Sequence, residues 1–117
     1  MNRILVCDDD REIVDAIEIY LQQEGYEVAK AYDGEEALAE LKKQPADLLI
    51  IDVMMPRLDG IRATLKIREE SSIPIIAMTA NAFTEDVKAA KDAGMDAHIT
   101  KPIEPGVLNR VLSEYLK

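Results

Sequence analysis

The stretch Leu48-Leu49-Ile50-Ile51-Asp52 decides how this chain folds. Four apolar residues without in/out alternation read as a strand covered on both faces, and the run ends abruptly in a carboxylate. Ile4-Leu5-Val6-Cys7 repeats the pattern and runs into Asp8-Asp9-Asp10. Ile73-Pro74-Ile75-Ile76-Ala77-Met78 repeats it again and runs into Thr79. Weaker runs lie at Tyr26-Glu27-Val28-Ala29 and Ala97-His98-Ile99. Between these strands the apolar period lengthens to that of a helix. Ile13, Ile17 and Leu21 form one stripe, and Ala37, Leu38 and Leu41 a second. Ile61, Leu65 and Ile67 form a third, Val87, Ala90 and Ala93 a fourth, and Val107, Val111 and Leu112 the last.

The punctuation agrees with that division. Gly25 follows the first helix in the place of a C′ glycine, Asp33-Gly34 opens the second and Pro45 ends it. Thr84 stands as an N-cap before Glu85-Asp86-Val87, Gly94 closes that helix, and Pro105 suits the first turn of the last. Five strands alternating with five helices predict an α/β fold with one doubly wound parallel sheet. A strand order of 2-1-3-4-5 leaves the second strand, which ends in Ala31-Tyr32, at the edge.

Composition narrows the class. The chain has 117 residues, 48% hydrophobic and 32% charged, which suits one domain over residues 1–117 with a core of its own. One cysteine excludes an internal disulfide or a thiolate zinc site. No apolar run approaches the roughly 20 residues of a membrane span, and Met1-Asn2-Arg3-Ile4 is no secretory signal, so the cytoplasm is expected. A net charge of −9 disfavours nucleic acid as a partner. No DNA-binding or catalytic effector is expected within these residues.

In such sheets the ligand site lies beyond the carboxyl ends of the strands, where strand order reverses. Asp8, Asp9, Asp10, Asp52, Thr79 and the run Thr100-Lys101-Pro102 all leave strands at that edge. Carboxylates gathered this way repel one another unless a cation holds them, and an all-oxygen set favours a hard ion such as Mg²⁺. Adding the Lys101 ammonium makes a site suited to a phosphoryl group, for which a carboxylate can itself be the nucleophile. Asp9 with Glu12 three residues on has the form of a capping box, so one of the three carboxylates is expected to be a helix cap, with Asp10 the candidate.

At these residues the chain resembles the receiver domain of two-component response regulators over essentially its whole length. The pieces that carry the resemblance are Ile4 to Asp10, Asp47 to Pro56, Asp59-Gly60, Met78-Thr79-Ala80 and Thr100-Lys101-Pro102. The resemblance implies a flavodoxin-like (βα)5 fold and a phosphoacceptor domain served by Mg²⁺ and by a histidine kinase or phosphotransfer protein. It implies that Asp52 accepts the phosphoryl group, that Thr79 is the switch hydroxyl, and that Lys101 pairs with the phosphate before a cis Pro102. It assigns the metal to Asp9 directly, Asp8 through water, Asp52, and the backbone carbonyl of Met54. His98 stands where the family often has Tyr or Phe, and is expected to be a half-exposed strand histidine.

Residues up to about Ile76 resemble receivers of winged-helix transcription regulators, and those from Ala77 on resemble receivers of hybrid sensor kinases. Such a mixture fits a natural chain or a recombined or designed one, and it predicts a monomer or a weak, phosphorylation-dependent dimer. Other chemistry fits less well. A haloacid-dehalogenase phosphohydrolase wants a second Asp where Met54 stands, and three aspartates would repel the phosphate of a flavin. No Gly-rich loop with Lys and Ser/Thr supports an NTPase. The remaining alternative is an interaction module of the same fold that is never phosphorylated.

Overall fold

The structure is a computed structural model that describes residues 2–53, 60–79 and 85–116, apart from the side chains of Glu85 and Asp86. In chain order its elements are β1 (Arg3–Cys7), α1 (Arg11–Gln23), β2 (Glu27–Ala31), α2 (Gly34–Lys43) and β3 (Leu48–Asp52). They continue as α3 (Gly60–Arg68), β4 (Ile75–Thr79), α4 (Glu85–Asp92), β5 (Ala97–Thr100) and α5 (Pro105–Tyr115). The strands form one parallel sheet in the order β2-β1-β3-β4-β5, as the alternation of runs predicts.

Why the central strands lack alternation is plain from the packing. Leu5, Cys7, Leu49, Ile51 and Ala77 face one layer with Ala37 of α2, Ala63 and Ile67 of α3, and Ala90 of α4. Ile4, Val6, Leu48, Ile50, Ile76 and Met78 face the other, against Val14, Ile17 and Leu21 of α1 and Leu108, Val111 and Leu112 of α5. Each buried Leu or Ile contributes about 1.5–3 kcal/mol, so both strand faces must be apolar. β2 is only partly buried, with Glu27 exposed and Ala31 alone fully buried, which fits its place at the edge.

The helix ends follow their local chemistry. Asp33 caps α2 by accepting from the Glu36 amide at 2.8 Å, and Gly25 and Gly94 take the positive φ values of 91° and 102° that end α1 and α4. Asp10, not Asp9, caps α1: its carboxylate accepts from the Glu12 amide at 3.0 Å. The expected Asp9–Glu12 capping box does not form because Asp10 is the last extended residue before the helix. The third stripe also needs correcting. Leu65 is 53% exposed, and the inner face of α3 is Gly60, Ala63, Thr64 and Ile67, four residues at helical spacing. Thr84 lies outside the described residues.

Far from the strand ends, Arg68 ties the opposite side of the sheet together. It donates to the carbonyls of Gly94 (3.0 Å) and Ile73 (2.7 Å) and to Asp96 Oδ2 (2.9 Å), while Tyr115 donates to the Asp96 carbonyl at 2.9 Å.

Candidate functional site

The sheet order sets β1, β3, β4 and β5 side by side, so their terminal residues converge. Asp8 and Asp52 are buried, and Asp9 beside them is exposed. Asp8, Asp9 and Asp52 each present a carboxylate oxygen within 4.8 Å of the others. Lys101 reaches in from the end of β5, its Nζ 2.7 Å from Asp8 Oδ2 and 3.2 Å from Asp52 Oδ2. Its backbone amide donates to the Thr79 carbonyl at 2.7 Å, which fixes the lysine to the end of β4. The Lys101–Pro102 peptide is cis.

The Asp8 carboxylate is held from two sides. Oδ1 accepts from the Asp10 amide at 3.0 Å, so the turn into α1 positions it. Oδ2 is fully buried and accepts no well-directed hydrogen bond, although the ammonium sits beside it as an ion pair. The charges act on one another. Burial opposes the charge on Lys101, but the Asp8 and Asp52 carboxylates outweigh it and hold the ammonium above its usual range. Burial and the adjacent Asp8 carboxylate push Asp9 above the usual carboxylate range. One ammonium among three carboxylates leaves an excess of negative charge.

A metal fits this donor set. Three carboxylates with no His or Cys suit a hard cation, and the buried Asp8 Oδ2, paired among the described residues with the Lys101 ammonium, keeps lone pairs to spare. Thr79 Oγ1 is likewise fully buried without a hydrogen-bond partner among the described residues. A buried hydroxyl is normally paired, so this one is open to an acceptor that the described residues do not supply.

Every sequence-predicted site residue that is described falls at this edge: Asp8, Asp9, Asp52, Thr79 and Lys101. Asp10 serves as the helix cap. Met54 and the segment 80–83 lie outside the described residues. His98 is exposed on β5, more open than the half-exposed position expected of it. One feature of the rim had no signal in the spacing: the Arg11 guanidinium lies 4.0 Å from the centre of the Tyr32 ring, across two strand ends. The sole thiol, Cys7, is buried beneath the cluster and donates to the Asp33 carbonyl at 3.3 Å, and burial together with the Asp33 and Asp8 carboxylates pushes it far up.

Sheet and site together define an α/β domain with an acidic, lysine-bridged pocket at its switch point. Known proteins are similar to this chain in sequence and fold. The response regulator receiver domain family matches residues 4–113, and the chain belongs to it. The alkaline phosphatase synthesis transcriptional regulatory protein PhoP of Bacillus subtilis is 36% identical over 116 residues, covering 98% of this chain and 48% of that protein. The response regulator GtcR of Aneurinibacillus migulanus is 37% identical, covering 87% of this chain and 42% of its own length. The chain thus spans about half the length of the curated relatives it matches.

Among solved structures, the chemotaxis protein CheY4 of Vibrio cholerae superposes with a TM-score of 0.93 at 34% identity, covering 99% of each chain. The receiver domain of the sensor histidine kinase PA1611 of Pseudomonas aeruginosa, solved with a magnesium ion in its active-site cleft, gives 0.90 at 34% identity, covering 97% of this chain and 96% of that one. The protein is a receiver domain of two-component systems, a signalling domain rather than a classic enzyme. No helix among the described residues is long and apolar enough to cross a membrane.

Proposed function

We propose that the domain takes a phosphoryl group onto Asp52, from a phosphohistidine on a histidine kinase or phosphotransfer protein or from a small acyl phosphate, and changes conformation as a result. The observation that supports this most is Lys101 Nζ paired with both Asp8 and Asp52, at the strand-end edge where the Thr79 hydroxyl is buried without a hydrogen-bond partner among the described residues. In the step, an Asp52 carboxylate oxygen attacks phosphorus. The new P–O bond forms as the P–N bond to the donor imidazole breaks, the electron pair leaves on that nitrogen, and the nitrogen takes a proton from solvent. Lys101 follows the charge from the carboxylate to the phosphoryl oxygens. Asp8, Asp9, Asp52 and the Met54 carbonyl would hold Mg²⁺, which supplies a hard dication to neutralise the transferring oxygens. Transfer is self-catalysed, the domain acts in the cytoplasm, and its partners are proteins rather than nucleic acid or membrane.

Intact mass after incubation with acetyl phosphate is expected to rise by one phosphoryl group with Mg²⁺ and to stay unchanged in EDTA. Labelling indifferent to EDTA contradicts the reading.

The two exposed carboxylates should separate cleanly. Asp10→Ala removes a cap and is expected to cost about 1 kcal/mol of stability while leaving Mg²⁺ affinity nearly intact. Asp9→Ala should abolish most Mg²⁺ binding in a calorimetric titration. The reverse ranking would exchange their roles.

Thr79 is the proposed relay. A phosphoryl group adds about two negative charges and strong acceptor oxygens, giving the buried hydroxyl a partner that the described residues do not offer. Amide shifts on adding a beryllofluoride phosphoryl mimic should spread into α4 in the wild type and stay near the site in Thr79→Ala. A full α4 response in the variant would exclude the relay. Sedimentation is expected to give a monomer without phosphate and at most weak dimerisation with it, and a tight dimer contradicts that.

A further inference from the structure

Arg11 and Tyr32 stand at the same edge of the sheet as the acidic cluster, and the proposed transfer does not use them. Arg11 opens α1 directly after Asp8-Asp9-Asp10, and Tyr32 follows the end of β2, one strand over at the same edge of the sheet. The ring sits on an anchored backbone. Ala31 accepts from the Asp8 amide at 3.2 Å, and the Tyr32 amide donates to Glu36 Oε1 at 3.1 Å. Over this platform the Arg11 guanidinium lies 4.0 Å from the ring centroid.

The side chain makes no hydrogen bond or ion pair among the described residues, although three aspartates precede it directly. That choice of partner matters chemically. Stacking on an aromatic face uses the plane of the guanidinium and leaves its five N–H donors open. A salt bridge to Asp9 would have consumed both donors and charge. An exposed cation–π contact is worth about 0.5–1 kcal/mol, so the group is held in place yet easily drawn off.

An anionic phosphoryl donor approaching this domain meets a chain of net charge −9 and a pocket with more carboxylates than ammonium groups. Lys101 is already shared between Asp8 and Asp52. We infer that Arg11, perched on Tyr32, is a donor-guiding residue that captures the free oxygens of an incoming phosphoryl group and raises the rate of productive encounter. This rests on the phosphoacceptor reading of Asp52. Arg11 acts as a positioning and specificity residue, favouring donors with exposed dianionic phosphate such as small acyl phosphates.

The test is the second-order rate of labelling by acetyl phosphate, with Mg²⁺ saturating, followed across ionic strength. Arg11→Gln should label about five- to tenfold more slowly at low salt, with the gap closing near 0.5 M salt as the charge is screened. Arg11→Lys should recover most of the rate. Tyr32→Leu should lose part of it, and the double variant should be no slower than Arg11→Gln alone, because the ring acts only through the arginine. A gap that persists at high salt, a lysine variant as slow as the glutamine one, or an Arg11→Gln rate equal to wild type overturns the inference. An unlabelled wild type is a separate result that sinks the phosphoacceptor reading and the inference with it.

Discussion

Gly60→Ala is expected to destabilise the domain by about 3 kcal/mol, at the upper end of the usual cost of overpacking. A Cβ at Gly60 would overlap the carbonyl oxygen of Asp52 and lie 2.9 Å from both the Asp52 carbonyl carbon and the Val53 Cα. These are backbone atoms and cannot rotate aside. The first turn of α3 would have to move off the end of β3, carrying strain into the residue proposed to accept phosphate. Gly106→Ala is the control, since nothing lies within 4 Å of its added methyl and it sits inside α5. That change should be neutral or stabilise by up to about 1 kcal/mol. Urea unfolding measures both, and a Gly60→Ala midpoint equal to wild type would contradict the close approach.

Asp52→Asn should abolish phosphorylation and yet make the metal-free domain more stable. At an effective dielectric of about 20, repulsion from Asp8 and Asp9 within 4.8 Å contributes roughly 3–4 kcal/mol each, against roughly 5 kcal/mol of attraction to Lys101 at 3.2 Å. Over these three partners the balance is unfavourable. Screening at the exposed Asp9 reduces it, leaving a gain of about 1 kcal/mol for the amide. The pH dependence carries the same sign. Asp9 is held above the usual carboxylate range, so the folded state takes up its proton more readily than the unfolded chain. In the absence of metal, this group therefore lowers stability as pH rises through its ionisation and stops doing so as pH falls. Mg²⁺ should reverse the ranking of wild type and Asp52→Asn. If the amide variant is less stable than wild type without metal, the cluster is not frustrated as described.

The fold was legible because its information is local. Runs such as Leu48 to Ile51 are apolar on both faces, and Gly25, Asp33 and Gly94 punctuate them where backbone chemistry demands. The described part of the site was legible because sheet order alone gathers the strand ends, bringing Lys101 to Asp8 across most of the chain. What escaped depends on side-chain direction and close approach. The Asp10 cap was legible, but residue type could not exclude the Asp9–Glu12 box, since only the extended backbone angle at Asp10 sets where α1 begins. Leu65 looks like a core residue in a short helix whose inner face is Ala63, Thr64 and Ile67. Nothing in the Asp59-Gly60 pair distinguishes a turn glycine from one wedged against β3. The Arg68 and Arg11 contacts join elements far apart in sequence, where no periodicity reports them.

The most direct measurement locates the phosphoryl group. An aspartyl phosphate is reduced by borohydride to homoserine, which survives proteolysis and can be placed by tandem mass spectrometry. After acetyl phosphate and Mg²⁺, homoserine is expected at position 52 and nowhere else, and none should form in EDTA. Homoserine at Asp8 or Asp9, or labelled protein that yields none at Asp52, would contradict the account.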